Sequence, residues 1–186
     1  MKKCVIVSDS FKGTLSSLEI CRLARESVSA IFPGCREVDA IPVADGGEGT
    51  VDCFVEAIGA EKVTVSVTGP FGEPLRAAYA RRGEQAVVEM AAAAGLPLTG
   101  DRGDPERTTT YGVGQLLRHA VEHGCKTVLL GLGGSATNDG GCGCAAALGA
   151  RFYNHRGESF LPVGGTLDQI AQIDLTELRH FLEGVR

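Results

Sequence analysis

Residues 3–31 read KCVIVSDSFKGTLSSLEICRLARESVSAI, and the change of period inside this stretch decides the fold class. Lys3–Ser8 is a short apolar run of β-branched residues, the pattern of a buried strand. Leu18, Ile20, Cys21, Leu23, Ala24, Val28 and Ile31 then recur at helical spacing. Ser16 with Glu19 three residues on makes a capping box at the helix start, and Pro33-Gly34 ends the helix. Between strand and helix stands a polar loop, Asp9-Ser10-Phe11-Lys12-Gly13-Thr14.

The rhythm repeats along the chain. Val38–Val43 is a second strand, Thr50–Ile58 a second helix closed by Gly59, and Lys62–Thr68 a third strand with alternating valines. Strand, loop and helix in this order predict a parallel α/β sheet. After Gly69-Pro70-Phe71-Gly72 the pattern changes. Leu75–Arg81 and Gln85–Glu89 are short strands joined by Arg82-Gly83-Glu84, a hairpin that a purely βαβ unit does not need. A domain transition is therefore expected near Thr68, separating 1–68 from 69–186. Further on, Thr110–His123 reads as a helix capped by Thr110 and stopped by Gly124, and it leads into the strand Thr127–Leu130. Short helices are expected at Cys142–Leu148, Leu167–Ile170 and Leu175–Leu182.

The composition excludes several function classes. The chain has 18 basic and 23 acidic residues, a net charge of −5, which leaves no basic stripe for a nucleic-acid backbone. The apolar run Cys4–Val7 is too short for a signal h-region or a membrane span, so a cytoplasmic location without a membrane partner is expected. The seven cysteines are odd in number and scattered. Cys4, Cys21 and Cys53 lie in apolar patterns, and Cys142 and Cys144 match no common zinc-ribbon spacing. His119 and His123 are four apart on a helix, but the glutamate of HExxH and a third ligand are missing, so a solvated helix face is expected there.

The polar chemistry gathers in loops at strand ends, where open α/β sheets bind their ligands. The first loop pairs Asp9 with Lys12, an ammonium able to sit against transferring phosphates. The second, Ala44-Asp45-Gly46-Gly47-Glu48-Gly49-Thr50, carries two acids that repel phosphate and suit a metal or the hydroxyls of a small polyol. The third, residues 131–143, reads GLGGSATNDGGCG. Its glycines allow close backbone approach to an anion, and the helix that follows would turn its N-terminus toward the same space. Ser135, Thr137 and Asn138 add donors and acceptors, and Asp139 suits Mg²⁺ or a hydroxyl proton. Neither GxxxxGK[ST] nor GxGxxG after the first strand is present, which disfavours a P-loop kinase and a Rossmann dehydrogenase. The residues alone support an α/β protein that handles a small anionic ligand, with a metal.

Six ordered segments, SDSFKGTLSS, PVADGGEGTVD, TGPFGEP, VVEMAAAAGLPL, TTTYGVGQLL and GLGGSATNDGGCG, together resemble the bacterial type I glycerate kinase family from about Lys3 to Asp174. The resemblance implies phosphorylation of D-glycerate, usually at the 2-hydroxyl, with ATP and Mg²⁺. It also implies a flavodoxin-like parallel-sheet domain built from both chain ends, with a second α/β domain inserted. Family members are about twice this long and carry a further EGRxD-type segment that this sequence lacks. The chain is therefore expected to hold an incomplete flavodoxin-like domain plus part of the inserted one, and to self-associate or pair with a C-terminal half.

Carried over by position, the resemblance makes Lys12, Asp45 and Asp139 the catalytic residues, with Lys12 facing phosphate. It does not decide which carboxylate takes the hydroxyl proton. Asp9, Ser10, Gly46, Gly47, Glu48, Gly133, Gly134, Ser135, Thr137 and Asn138 become the substrate- and phosphate-binding set. No metal ligand is assigned. The alternative is a non-catalytic fragment or binding module that retains only weak nucleotide, phosphate or glycerate binding.

Overall fold

A computed structural model describes residues 3–186. It is a mixed α/β fold with three small sheets. Strand β1 (Lys3–Ser8) runs parallel to β2 (Glu37–Pro42), and the crossover between them is helix α1 (Ser17–Ile31). The capping box forms as expected: Glu19 N donates to Ser16 Oγ at 3.2 Å, and Ser16 N donates back to Glu19 Oε2 at 2.9 Å. Along β1 the side chains alternate, so α1 covers one face while Val5 and Val7 on the other stay 55% and 60% exposed.

Helix α2 (Thr50–Ile58) has the expected bounds, with Gly59 closing it in the left-handed conformation. The strand that follows departs from expectation. β3 (Glu61–Thr68) does not join β1 and β2; it pairs antiparallel with β4 (Pro74–Arg82) along its whole length. β4 pairs antiparallel with β5 (Gln85–Glu89), and β5 runs parallel to β6 (Thr127–Gly131). The reason is local: Gly69–Gly72 forms a tight turn, Gly69 N donating to Glu73 O at 2.7 Å, which folds β4 directly back on β3. The change from the first sheet to the second therefore falls between β2 and β3.

Both faces of the four-stranded sheet are covered. Val88, Tyr79, Val113, Leu116 and Ala120 are completely buried where helix α5 (Tyr111–Glu122) lies on one face. Val51 of α2 packs with Ala80 and Val87 on the other. Because β5 has α5 on one side and α2 on the other, its side chains alternate between two cores rather than between core and water. Two one-turn helices, α3 (Ala91–Ala94) and α4 (Leu96–Thr99), follow β5.

Helix α6 (Cys142–Ala147) packs on α5 through glycines. A Cβ on Gly114 would collide with the backbone of Cys144, and one on Gly143 with the Thr109 hydroxyl. Beyond α6 lies a third sheet that the sequence pattern does not announce. In it β7 (Arg151–Tyr153) is flanked antiparallel by β8 (Ser159–Phe160) and β9 (Gln172–Asp174). The helix expected over Leu175–Leu182 forms as α7 (Thr176–Phe181), while the one expected at Leu167–Ile170 is a 3₁₀ turn over Gly164–Gln169. Among the described residues no helix is long and apolar enough to cross a membrane.

Candidate functional site

The loops after β1, β2 and β6 meet at one end of the fold, at the junction of the first two sheets. Gly133 N donates to Gly46 O at 3.0 Å, and Met90 N at the end of β5 donates to Gly131 O at 2.8 Å. The glycines here allow backbone to pack on backbone: a Cβ on Gly133 would lie 2.7 Å from Gly47 N. Gly46, Gly47, Gly133 and Gly134 thus seat one loop on the other, and Gly134 O also accepts from Leu96 N at 3.0 Å.

Lys12 sits at the tip of a turn closed by Thr14 N donating to Phe11 O at 2.8 Å. Its Nζ lies 3.3 Å from Asp45 Oδ1 and 3.6 Å from Asp9 Oδ2, so the ammonium bridges the loops after β1 and β2. An ammonium has three donors, and the two carboxylates leave one for the cleft. The Gly47 N–H, donating to Asp45 Oδ1 at 2.9 Å, and then the Lys12 charge hold the Asp45 carboxyl below its ordinary range. Desolvation lowers the Lys12 value, but its bonds and charge interactions with Asp45 and Asp9 outweigh it and the net shift is upward.

Beside this pair opens a cleft of about 540 Å³ lined by Ser10, Lys12, Ser16, Ser17, Glu19, Glu48, Asp52 and Glu89, among others. One ammonium faces a set of carboxylates and hydroxyls. Ser10 Oγ is buried there and has no hydrogen-bond partner among the described residues. Glu48 is exposed at the rim. Such a lining suits a hydroxylated ligand or phosphates that carry their own cation, not bare phosphate. Among the described residues no three His, Cys, Asp or Glu side chains gather to hold a metal unaided.

Glu89 is a cleft residue inside the segment VVEMAAAAGLPL, and the sequence motifs assign it no role. It is 8% exposed, and Val51 N donates to its Oε2 at 2.9 Å. Burial pushes its carboxyl up, against the opposing pull of the Val51 and Gly49 N–H groups. A signal for it exists in the sequence: it is a lone acid closing an apolar strand, the place Asp9 and Asp45 occupy after β1 and β2.

Asp139 lies outside the lining of the Lys12 cleft, buried between α5 and the loop before α6. It is 1% exposed. Its Oδ2 accepts from Thr110 N at 2.8 Å, Thr110 Oγ1 at 2.9 Å and Gly143 N at 3.1 Å, and its Oδ1 accepts from Gly141 N at 3.0 Å. A carboxylate so bonded clamps α5 to α6. It also fills the N-terminus of α6, so the anion site expected there is taken by the protein's own acid. Thr110, expected to cap α5, makes no side-chain cap and bonds Asp139 instead. Ser135 and Thr137 bond each other at 2.8 Å, Asn138 is exposed, and none of the three lines the cleft. The histidine pair is not simply solvated: His119 Nδ1 shares a 3.1 Å hydrogen bond with buried Tyr79, and its ring stacks on His123.

The sequence pattern of the glycerate kinase family matches residues 4–186. This chain belongs to the glycerate kinase family. It is 44% identical to the glycerate kinases of Bacillus cereus (strain ATCC 10987 / NRS 248) and Bacillus subtilis (strain 168), in each case over 99% of this chain and 49% of the relative. It is 41% identical to the glycerate 2-kinase of Escherichia coli (strain K12), over 95% of this chain and 47% of that protein. A crystal structure provisionally assigned as glycerate kinase 2 of Salmonella typhimurium LT2 superposes with a TM-score of 0.82 at 41% identity, covering 100% of this chain and 51% of that one. The chain thus spans about half the length of the glycerate kinases it matches.

Proposed function

We propose that this chain forms the N-terminal half of a glycerate kinase that transfers the γ-phosphoryl group of ATP to the 2-hydroxyl of D-glycerate. The observation that carries the reading is Lys12 held between Asp9 and Asp45 at the mouth of a hydroxyl- and carboxylate-lined cleft, at the carboxyl ends of two parallel strands. The name of the Escherichia coli relative favours the 2-hydroxyl. The β1–α1–β2 unit is read as the start of a flavodoxin-like sheet, and the chain from α2 onward as part of the inserted domain.

Phosphoryl transfer depends on positioning and charge stabilisation more than on covalent chemistry. Lys12 offers its remaining donor to the transferred phosphoryl group while Asp45 and Asp9 fix its direction. In this reading Ser10 and Glu48, both in the cleft lining, bond glycerate. Asp45, the more exposed carboxylate of the Lys12 pair, is the acceptor open to the hydroxyl proton. Mg²⁺ bound to ATP would neutralise phosphate charge, and the exposed carboxylate Glu48 fits the kind of protein ligand such an ion takes.

A second reading has its own support. The open face of the β1–β2 pair favours a chain that alone binds ligand without turnover. A coupled assay with D-glycerate and MgATP, with and without a polypeptide supplying the second half of the family's length, separates the two. Turnover only in the combined sample supports the first reading for the assembled unit. Absence of turnover in both, for a combined sample shown to have assembled, overturns it.

A further inference from the structure

Helix α2 begins without a cap of its own. Its N-cap is Gly49, in the left-handed conformation with φ 90, and no side chain from the preceding loop bonds the first-turn N–H groups. The acceptor arrives from elsewhere: Glu89 Oε2 takes Val51 N at 2.9 Å from the end of β5, thirty-eight positions away. In the parallel register Glu89 stands beside Gly131, whose carbonyl accepts Met90 N and whose Cα packs on the Gly46 carbonyl. From α2 back to the catalytic pair the connections are short. Thr50 Oγ1 donates to Gly47 O at 2.7 Å, and Gly47 N donates to Asp45 Oδ1, the oxygen that also meets Lys12.

The geometry points to Glu89 as the positioning residue of this site: a cap supplied from β5 that fixes the start of α2 and, through Thr50 and Gly47, the direction of the Asp45 carboxylate and the Lys12 ammonium. An ionised side-chain oxygen on first-turn N–H groups is favoured both by hydrogen bonding and by the helix dipole. The position explains why a carboxylate stays buried where an apolar residue would pack, since it replaces acceptors that Gly49 cannot provide. The charged groups sharing its surroundings are Asp52, Glu48, Glu19 and Lys12 on the cleft side, and Lys62 and Arg76 across α2. The inference concerns the site whatever its substrate, so its test needs no turnover.

The test uses the ¹⁵N- and ¹³C-labelled chain with Glu89→Ala and Glu89→Gln, read by amide hydrogen exchange and by the titration of the Asp45 carboxyl. In Glu89→Ala, protection of the Val51 to Phe54 amides should fall about tenfold or more, while Leu116 to Ala120 of α5 change less than about twofold. The Asp45 midpoint should rise toward the ordinary carboxylate value. Glu89→Gln, whose amide oxygen still accepts one N–H, should show the same changes at smaller size, and it decides the matter if the alanine variant does not fold. Two results would overturn the inference: an unmoved Asp45 midpoint, or a loss of protection spread evenly over α2 and α5. The second would mark Glu89 as a general packing residue.

Discussion

The backbone N–H of Gly133 and the carbonyl of Gly46 are 3.0 Å apart, and that bond ties the loop after β6 to the loop after β2. It joins two sheets at the point where the Lys12–Asp45 pair stands. The approach is so close that a Cβ on Gly133 would sit 2.7 Å from Gly47 N and 2.8 Å from Gly47 Cα, both backbone atoms that cannot rotate aside. Gly133→Ala should therefore destabilise the fold by about 2 kcal/mol or more, the cost of forcing atoms into a packed contact. Gly103, with nothing within 4 Å of its Cβ position and an ordinary φ, is the control, and Gly103→Ala should be near neutral. Urea unfolding of the two variants checks the difference.

Asp139 offers a second contrast, between a clamp and a catalyst. Asp139→Ala strands the N–H groups of Thr110, Gly141 and Gly143 without their acceptor, and should cost about 3 kcal/mol or more. Asp139→Asn keeps the shape but turns an N–H₂ toward donors on one side, and should recover only part of the loss. Glycerate or nucleotide binding by whatever fraction stays folded should be nearly unchanged. A variant of wild-type stability that binds nothing would return Asp139 to the reacting groups.

The raised carboxyl value of Glu89 has a definite sign in stability. Burial is the first cause, and the nearby Asp52 charge adds to it. A carboxyl whose folded value lies above its unfolded value, ordinarily about 4.3 for Glu, binds more protons in the folded state between the two. Stability is lost as pH rises through that window. Glu89→Gln has no such proton, so its stability relative to wild type should improve from about pH 4 upward until the folded value is passed, then level off. Unfolding curves of the two proteins at a series of pH values measure that difference directly.

Elements set by neighbours along the chain are legible in the sequence itself. The Ser16–Glu19 capping box, the limits of α2 with its closing Gly59, and the β4–β5 hairpin each depend on a few adjacent residues. So does the meeting of Lys12 and Asp45, because parallel strands joined by one crossover place their following loops side by side. What depends on distant partners is not legible in that way. The alternating valines of β3 fit either sheet, and only the turn at Gly69–Gly72 chooses β4 as its neighbour. The direction of the Asp139 side chain is set by Thr110, which no spacing rule links to it. The glycines of the loops after β2 and β6 also serve contact between them, a use that requires the same missing Cβ as a phosphate cradle and that the motif does not distinguish from it.

Lys12 and Asp45 should behave as a pair in the assembled enzyme. Lys12→Ala should lower kcat/KM at least about a hundredfold, because a charge-assisted contact to a transferring phosphate in a water-poor cleft is worth on the order of 3 kcal/mol. Lys12→Arg should rescue only in part, as a planar fork does not replace a compact ammonium held between two carboxylates. The pH dependence follows from the two shifts. Asp45, depressed, keeps its charge until pH falls through its folded value, below the ordinary carboxylate range. Lys12, raised, keeps its charge until pH rises past the ordinary lysine value of about 10.4. The pair should thus be intact across neutral pH, and any activity limb between about pH 5 and 9 must come from another group. Wild-type rates in Lys12→Ala, measured by the coupled assay, would make it a surface lysine.

The last expectation concerns the open face of the β1–β2 pair. Parallel strands are ordinarily covered on both faces, and a lone two-stranded sheet is marginal in water. Here α1 covers one face, while Val5, Val7 and Ile41 are 55%, 60% and 46% exposed on the other. The glycerate kinases that this chain matches are about twice its length, so a polypeptide of the remaining half is the natural cover. The isolated chain should elute from size-exclusion chromatography as a concentration-dependent mixture of assembled species and show no glycerate kinase turnover. Adding the second half should give a single one-to-one species and restore turnover. Replacing Val5 and Val7 together by Lys adds charge between the Lys3 ion pairs and Ile41 on this face, and should suppress both the self-association and the pairing while leaving the α5-centred core intact by amide exchange. A chain that runs as a tidy monomer and turns over D-glycerate unaided would mean that the exposed face needs no cover and that the cleft beside Lys12 is already complete.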